Sequence, residues 1–101
     1  MTNSERIFLS IDKHYNTFTP IAEKKLKDGV SELEAIAEEL SFYVPEKIQQ
    51  IKSDLTYFKN RFIGFWFKRE IGWPEFLNER YGLLNTVVCR LTCLENTYLK
   101  N

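Results

Sequence analysis

The chain is poor in the residues that interrupt helices and in those that carry chemistry. Among 101 residues there are four glycines, three prolines, two cysteines and one histidine. The histidine, His14, has no cysteine or carboxylate at ligand spacing, and nothing in the sequence forms a catalytic triad. We interpret it as a surface or boundary residue. We therefore expect no enzyme, no bound metal and no cofactor.

Long apolar runs are also missing. No stretch approaches the roughly 18 charge-free apolar residues that indicate a transmembrane helix. The first residues, MTNSERIFLSIDKHYN, lack the basic flank and the uninterrupted apolar core of a signal peptide. Two cysteines without a secretory signal are more typical of reduced thiols than of a disulfide framework. We expect a cytoplasmic protein with no membrane association.

An excess of charge of either sign is absent too, because 14 basic residues balance 14 acidic ones. No net field draws the molecule to nucleic acid or to an anionic membrane. Apolar residues make up 44% and charged residues 28%, which is an ordinary globular composition, although the aromatic content of 15% is high. The length predicts one helical domain over 1–101.

Apolar residues recur at spacings of three and four along nearly the whole chain, which predicts an all-α bundle of four to five helices. The first would span about 4–16. Thr19 and Pro20 would start a short helix that stops at Gly29, and a capping box of Ser31 and Glu34 would start another, 31–43. Two long C-terminal helices are predicted at about 45–71 and 74–99.

The two long helices carry regular apolar seams. One follows a heptad pattern and consists of Ile48, Ile51, Leu55, Phe58, Phe62 and Phe65. The other is interrupted only by Glu95 and consists of Leu77, Tyr81, Leu84, Val88, Leu91 and Tyr98.

A line of small residues occupies the opposite side of the last helix: Gly82, Thr86, Cys89 and Cys93. The two cysteines could supply half of a zinc site, but the sequence offers hardly any further ligands. We interpret them as small buried residues on a ridge that another helix approaches closely. The last helix, apolar or small on both sides, is then the centre of the bundle.

Charge is segregated along the chain. Residues 28–46 contain six acids and no base, whereas residues 47–69 contain six bases and one acid. Bases at heptad positions e and g flank the first seam, where charges select a partner helix; they are Lys47, Lys52, Lys59, Arg61 and Lys68. They face either the acidic 31–43 helix of the same molecule or an acidic surface of another.

The segment RFIGFWFKR, 61–69, has more apolar side chains than one seam needs. On a helical wheel they span about 200°, whereas a single seam takes about 100°. This end of the helix is either buried on two sides or presents part of its arc to a partner. Aromatic residues with arginine favour the second interpretation, and the surface it selects comprises Arg61, Ile63, Trp66, Phe67, Lys68, Arg69 and Trp73.

We therefore expect a non-catalytic protein-binding module, such as a small inhibitor, an immunity protein, an antitoxin or a secretion chaperone. Its partner would be another protein with an acidic surface. One alternative is a nucleic-acid-associated regulator that uses the basic 47–69 segment. Residues 20–43 have the outline of a helix–turn–helix. Its second helix carries four glutamates and no base, which argues against binding to the major groove of DNA. The other alternative is a structural homodimer through the heptad seams.

Overall fold

The computed structural model describes residues 1–14, 19–68 and 73–99, with the side chains of 61–68 and 73–81 outside the description. Within these ranges there are four helices and no strand: α1 Asn3–Asp12, α2 Pro20–Leu40, α3 Pro45–Lys68 and α4 Trp73–Tyr98. The predicted all-α bundle is confirmed. Its finer details, a fifth helix and the bounds 45–71 and 74–99, are not. In the described part of the chain, no helix combines the length and apolarity needed to cross a bilayer.

Local capping explains where the first two helices begin. The Thr2 hydroxyl accepts a hydrogen bond from the Glu5 backbone N–H at 3.2 Å, and the Glu5 carboxylate accepts one from the Thr2 N–H at 3.0 Å. This is a capping box, formed by the Thr-x-x-Glu pattern of residues 2–5. Helix α2 starts as predicted, since the Thr19 hydroxyl caps the Ala22 N–H at 3.1 Å and Pro20 fills the first turn.

The predicted break between 20–28 and 31–43 is wrong, because α2 continues through it as one helix of 21 residues. Leu26, Val30 and Leu33 keep the helical spacing across the supposed break, and all three are buried. Ser31 lies exposed inside the helix and starts nothing. The helix–turn–helix outline therefore does not exist in this fold.

The core lies between α2 and α4, each of which contacts the other three helices, whereas the described parts of α1 and α3 do not touch. Apart from Tyr98, which is exposed, the described residues of both predicted seams are buried in this core: Ile48, Ile51, Leu55, Phe58, Leu84, Val88 and Leu91. Each such side chain contributes about 1.5–3 kcal/mol on burial. Since one chain already buries this described part of the seams, a second copy reaches it only if the bundle opens.

Candidate functional site

The predicted aromatic-basic surface lies outside the residues whose side chains the structure describes. The backbone of 61–68 belongs to α3 and Trp73 begins α4. The prediction that a partner contacts Arg61, Ile63, Trp66, Phe67, Lys68, Arg69 and Trp73 therefore stays a prediction.

The acidic α2 and the basic α3 pair with each other within the chain. Lys52 forms an ion pair with Glu38, and the Lys59 Nζ lies 3.3 Å from Glu34 Oε1. Of the three flanking bases with described side chains, only Lys47 has no ion-pair partner among the described residues. The intramolecular interpretation of the charge segregation therefore accounts for two of these three bases.

The ridge of small residues on α4 is exposed, contrary to the prediction that its cysteines are buried. Cys89 and Cys93 are both exposed free thiols. Gly82 and Thr86 are exposed as well, and a Cβ atom built on Gly82 meets nothing within 4 Å. We call these four residues the α4 outer face.

The reason lies in how few helices the bundle has. Helix α4 turns Leu84, Val87 and Leu91 into the core, where all three are buried. The other three helices surround that side of α4, and among the described residues no fifth helix covers the opposite side. Thus α4 contacts every other helix, as a central element would, and still leaves one face to solvent.

Two apolar grooves border the α4 outer face, and both are lined by Cys89 and Cys93. The α3 groove, between α3 and α4, has a volume of about 550 Å³, and its lining includes Ile51, Leu94, Lys47 and Arg90. The α1 groove, between α1 and α4, has a volume of about 400 Å³, and its lining includes Phe8, Leu9, Val88 and Glu5. A small-residue ridge between two apolar grooves is thus open to solvent.

Glu95, which interrupts the apolar seam of α4, links α4 to α1 through hydrogen bonds. It is only 6% exposed, and its carboxylate accepts hydrogen bonds from the backbone N–H groups of Asn3 and Ser4, each at 3.1 Å. The Ser4 hydroxyl also donates to it. A carboxylate at this place satisfies amides that the first turn of α1 cannot pair and interacts favourably with the helix dipole. The sequence showed the interruption but not its partner.

A polar pocket of about 600 Å³ lies at the same end of the bundle. Tyr43 and Tyr98 stack along it with ring centroids 5.6 Å apart, and Phe42 nearby in sequence is 82% exposed. Its buried carboxylate, Glu95, is already engaged by α1. The pocket therefore offers no unpaired buried group that would mark a binding site.

His14 and the lowered pKa of Glu5 both belong to local structure at the two ends of α1. His14 is half-buried in the turn after α1, and no three potential metal ligands of the His, Cys, Asp or Glu type cluster in the described ranges. The pKa of Glu5 is lowered, first by the hydrogen bond from the Thr2 backbone N–H and then by that from the Thr2 hydroxyl. This shift belongs to the helix cap.

Among the described residues, the fold is thus a small all-α bundle whose α4 outer face is exposed. No family model matches the chain, and neither a curated protein nor a solved structure is detectably similar to it.

Proposed function

We propose that this protein is a non-catalytic protein-binding module, of the type represented by small inhibitors, immunity proteins, antitoxins and secretion chaperones. The observation that supports the proposal is the α4 outer face with its two grooves. Apolar surface of this kind is stabilised when another molecule covers it. Two thiols lie on this face, but the described residues hold no group of three or more His, Cys, Asp or Glu side chains that could act together.

The occupant we propose is an amphipathic helix of a partner protein. Small residues such as Gly82 and Cys89 allow a second helix to approach α4 closely, at an interaxial distance of about 8–10 Å. Apolar side chains at spacings of three and four on that helix then enter the α3 groove and the α1 groove on either side of the ridge. This is the helix-in-groove mode of recognition.

Charge selects the orientation and composition of the partner helix. Lys47 lines the α3 groove and has no ion-pair partner among the described residues, whereas the Nη1 of Arg90, which also lines it, lies 3.5 Å from Asp54 Oδ2. Glu5 lines the α1 groove. A matching helix carries acidic residues along the edge that faces Lys47, in agreement with the acidic partner expected from the sequence.

The aromatic-basic surface around Trp66 and Phe67 is retained as a second contact region of the same proposal. The nucleic-acid alternative has lost part of its basis, because Lys52 and Lys59 already pair with α2. It predicts binding to duplex or single strands that falls steeply with salt. The homodimer alternative predicts a mass and a melting temperature that depend on concentration.

Affinity capture from the lysate of the source organism tests the proposal with four forms of the protein. They are the wild type, Cys93→Glu on the α4 outer face, the double variant Trp66→Ala/Phe67→Ala, and Gln49→Glu as a control. Gln49 is exposed on α3 and lines neither groove, so the control introduces the same charge elsewhere. Capture by the wild type and the control, with loss in Cys93→Glu, is expected.

Zero-length coupling with a carbodiimide then tests the occupant. It joins an amine directly to a carboxylate, so we expect a cross-link from Lys47 to an aspartate or glutamate in an amphipathic helical segment of the captured protein. Equal capture by Cys93→Glu and the wild type would remove the α4 outer face as the site. Loss only in the Trp66→Ala/Phe67→Ala variant would place binding on α3, and capture of nothing by any form would overturn the binding module itself.

A further inference from the structure

We propose that Cys89 and Cys93 form a two-thiolate site for a soft, thiophilic metal ion of the Cu(I) type. This inference uses the same face of α4 as the protein-binding proposal, but it needs no partner protein. It comes from three observations: both thiols are free and exposed, they are four residues apart on one helix, and both line the same two grooves. The two sulfur atoms therefore share one accessible face.

The spacing of the pair favours a bridging ion over a disulfide. Side chains four apart on a helix have Cβ atoms about 5–6 Å apart, whereas a disulfide requires about 3.5–4.5 Å. Direct oxidation of this pair would distort α4. With a metal–sulfur bond of about 2.3 Å, the value for zinc, a linear arrangement places the two sulfurs roughly 4.6 Å apart, close to the spacing of the Cβ atoms that carry them.

The ligand set favours an ion that accepts two sulfurs. Thiolates select soft ions such as Cu(I), while a structural zinc site takes four ligands. Among the described residues no cluster of three or more potential ligands exists. Of the carboxylates near the thiols, Glu5 is held in the capping box with Thr2. Apolar side chains such as Ile51 and Leu94 border the site and suit a soft ion.

Binding needs no electron transfer. Each thiol gives its proton to the solvent, and the two resulting thiolates donate to one Cu⁺ ion, which yields a complex with a net charge of minus one. Affinity must therefore rise with pH, because deprotonation accompanies binding.

The experiment titrates the full chain with Cu(I) supplied as its bicinchoninate complex under reducing, anaerobic conditions. Transfer is followed by the loss of the chelator colour and the stoichiometry by native mass spectrometry. The decisive control is Cys93→Ser/Asn96→Cys, which keeps two thiols on an exposed part of α4 but separates them by seven residues instead of four. Thr86→Ser tests a neighbouring non-thiol position, and circular dichroism checks that each variant keeps its helix content.

We expect one ion per wild-type chain and per Thr86→Ser chain. Because the second thiolate binds within the same molecule, affinity should fall on the order of 100-fold or more when the pair is separated or when Cys89→Ser removes one thiol. Equal affinity in the separated variant would reduce the observation to ordinary thiol binding and overturn the site. A stoichiometry of half an ion per chain in a dimer would also overturn the site, as would tighter binding of Zn(II) than of Cu(I).

Discussion

Gly29 and Gly82 provide a matched test of the packing, because both lie inside helices but in opposite surroundings. A Cβ atom on Gly29 would lie 2.6 Å from Ile11 Cδ1, 3.0 Å from Ile11 Cγ1 and 3.2 Å from Ile7 Cγ2. A Cβ atom on Gly82 meets nothing within 4 Å. We predict that Gly29→Ala destabilises the protein and that Gly82→Ala stabilises it.

The magnitudes follow from two opposing effects. Alanine is favoured over glycine inside a helix by about 1 kcal/mol, and this gain is available at both positions. At Gly29 the methyl group must also displace Ile11, which is buried, and overpacking of this kind costs about 1–3 kcal/mol. The free energy of unfolding should therefore fall by about 0–2 kcal/mol in Gly29→Ala and rise by about 1 kcal/mol in Gly82→Ala.

Urea unfolding followed by far-ultraviolet circular dichroism measures both changes. The variant Gly29→Ala/Ile11→Val adds a direct test, because valine lacks the Cδ1 atom that makes the closest contact. On its own, Ile11→Val should cost about 0.5–1.5 kcal/mol. The double variant should lose less free energy of unfolding than the sum of the losses measured for Gly29→Ala and Ile11→Val alone. Stabilisation of Gly29→Ala to the same extent as Gly82→Ala would refute the close approach of α1 to α2.

Three further predictions concern charged side chains. Replacing Glu95 by glutamine should lower the free energy of unfolding by about 2 kcal/mol, because hydrogen bonds to a buried carboxylate contribute more than neutral ones. Denaturant unfolding measures this loss. A loss smaller than that caused by replacing an exposed glutamate would contradict the capping role. Glu5 has a lowered pKa, so its stabilising effect is complete above the ordinary glutamate pKa and is lost as the pH falls through the lowered folded value. Melting curves of Glu5→Gln against pH should accordingly show a weaker loss of stability in acid than the wild type, and an unchanged acid limb would show that the Thr2 hydrogen bond is not formed. Lys52→Ala, which breaks the pair with Glu38, should cost no more than about 1 kcal/mol since the pair is exposed, and a larger loss that persists in high salt would contradict this assignment.

The course of α2 shows how local signals and long-range periodicity compete. Gly29 and the Ser31 capping pattern predict a break, while Leu26, Val30 and Leu33 predict continuity. Burial of the apolar stripe outweighs a glycine penalty of about 1 kcal/mol. The glycine itself is explained only by the approach of Ile11 from a helix distant in sequence.

Whether the small residues of α4 are exposed depends even more on tertiary contacts than the course of α2 does. The small residues of α4 were recognised from the sequence, yet their spacing is the same whether a helix covers them or not. Exposure of Cys89 and Cys93 follows from the number of helices available to surround α4. The role of Glu95 likewise depends on where the first turn of α1 docks.

By itself, the sequence determined the helical class, the starts of helices at Thr19 and Pro45, and the apolar seams that form the core, because these depend on spacing and capping within a few residues. It left open whether the bases of α3 face the acidic helix of the same chain or another molecule, and the pairs of Lys52 and Lys59 with α2 support the first alternative for those two residues. Only the tertiary structure decided that α2 is continuous and that one face of α4 is open. Both depend on contacts between segments far apart in the chain, which no local pattern specifies.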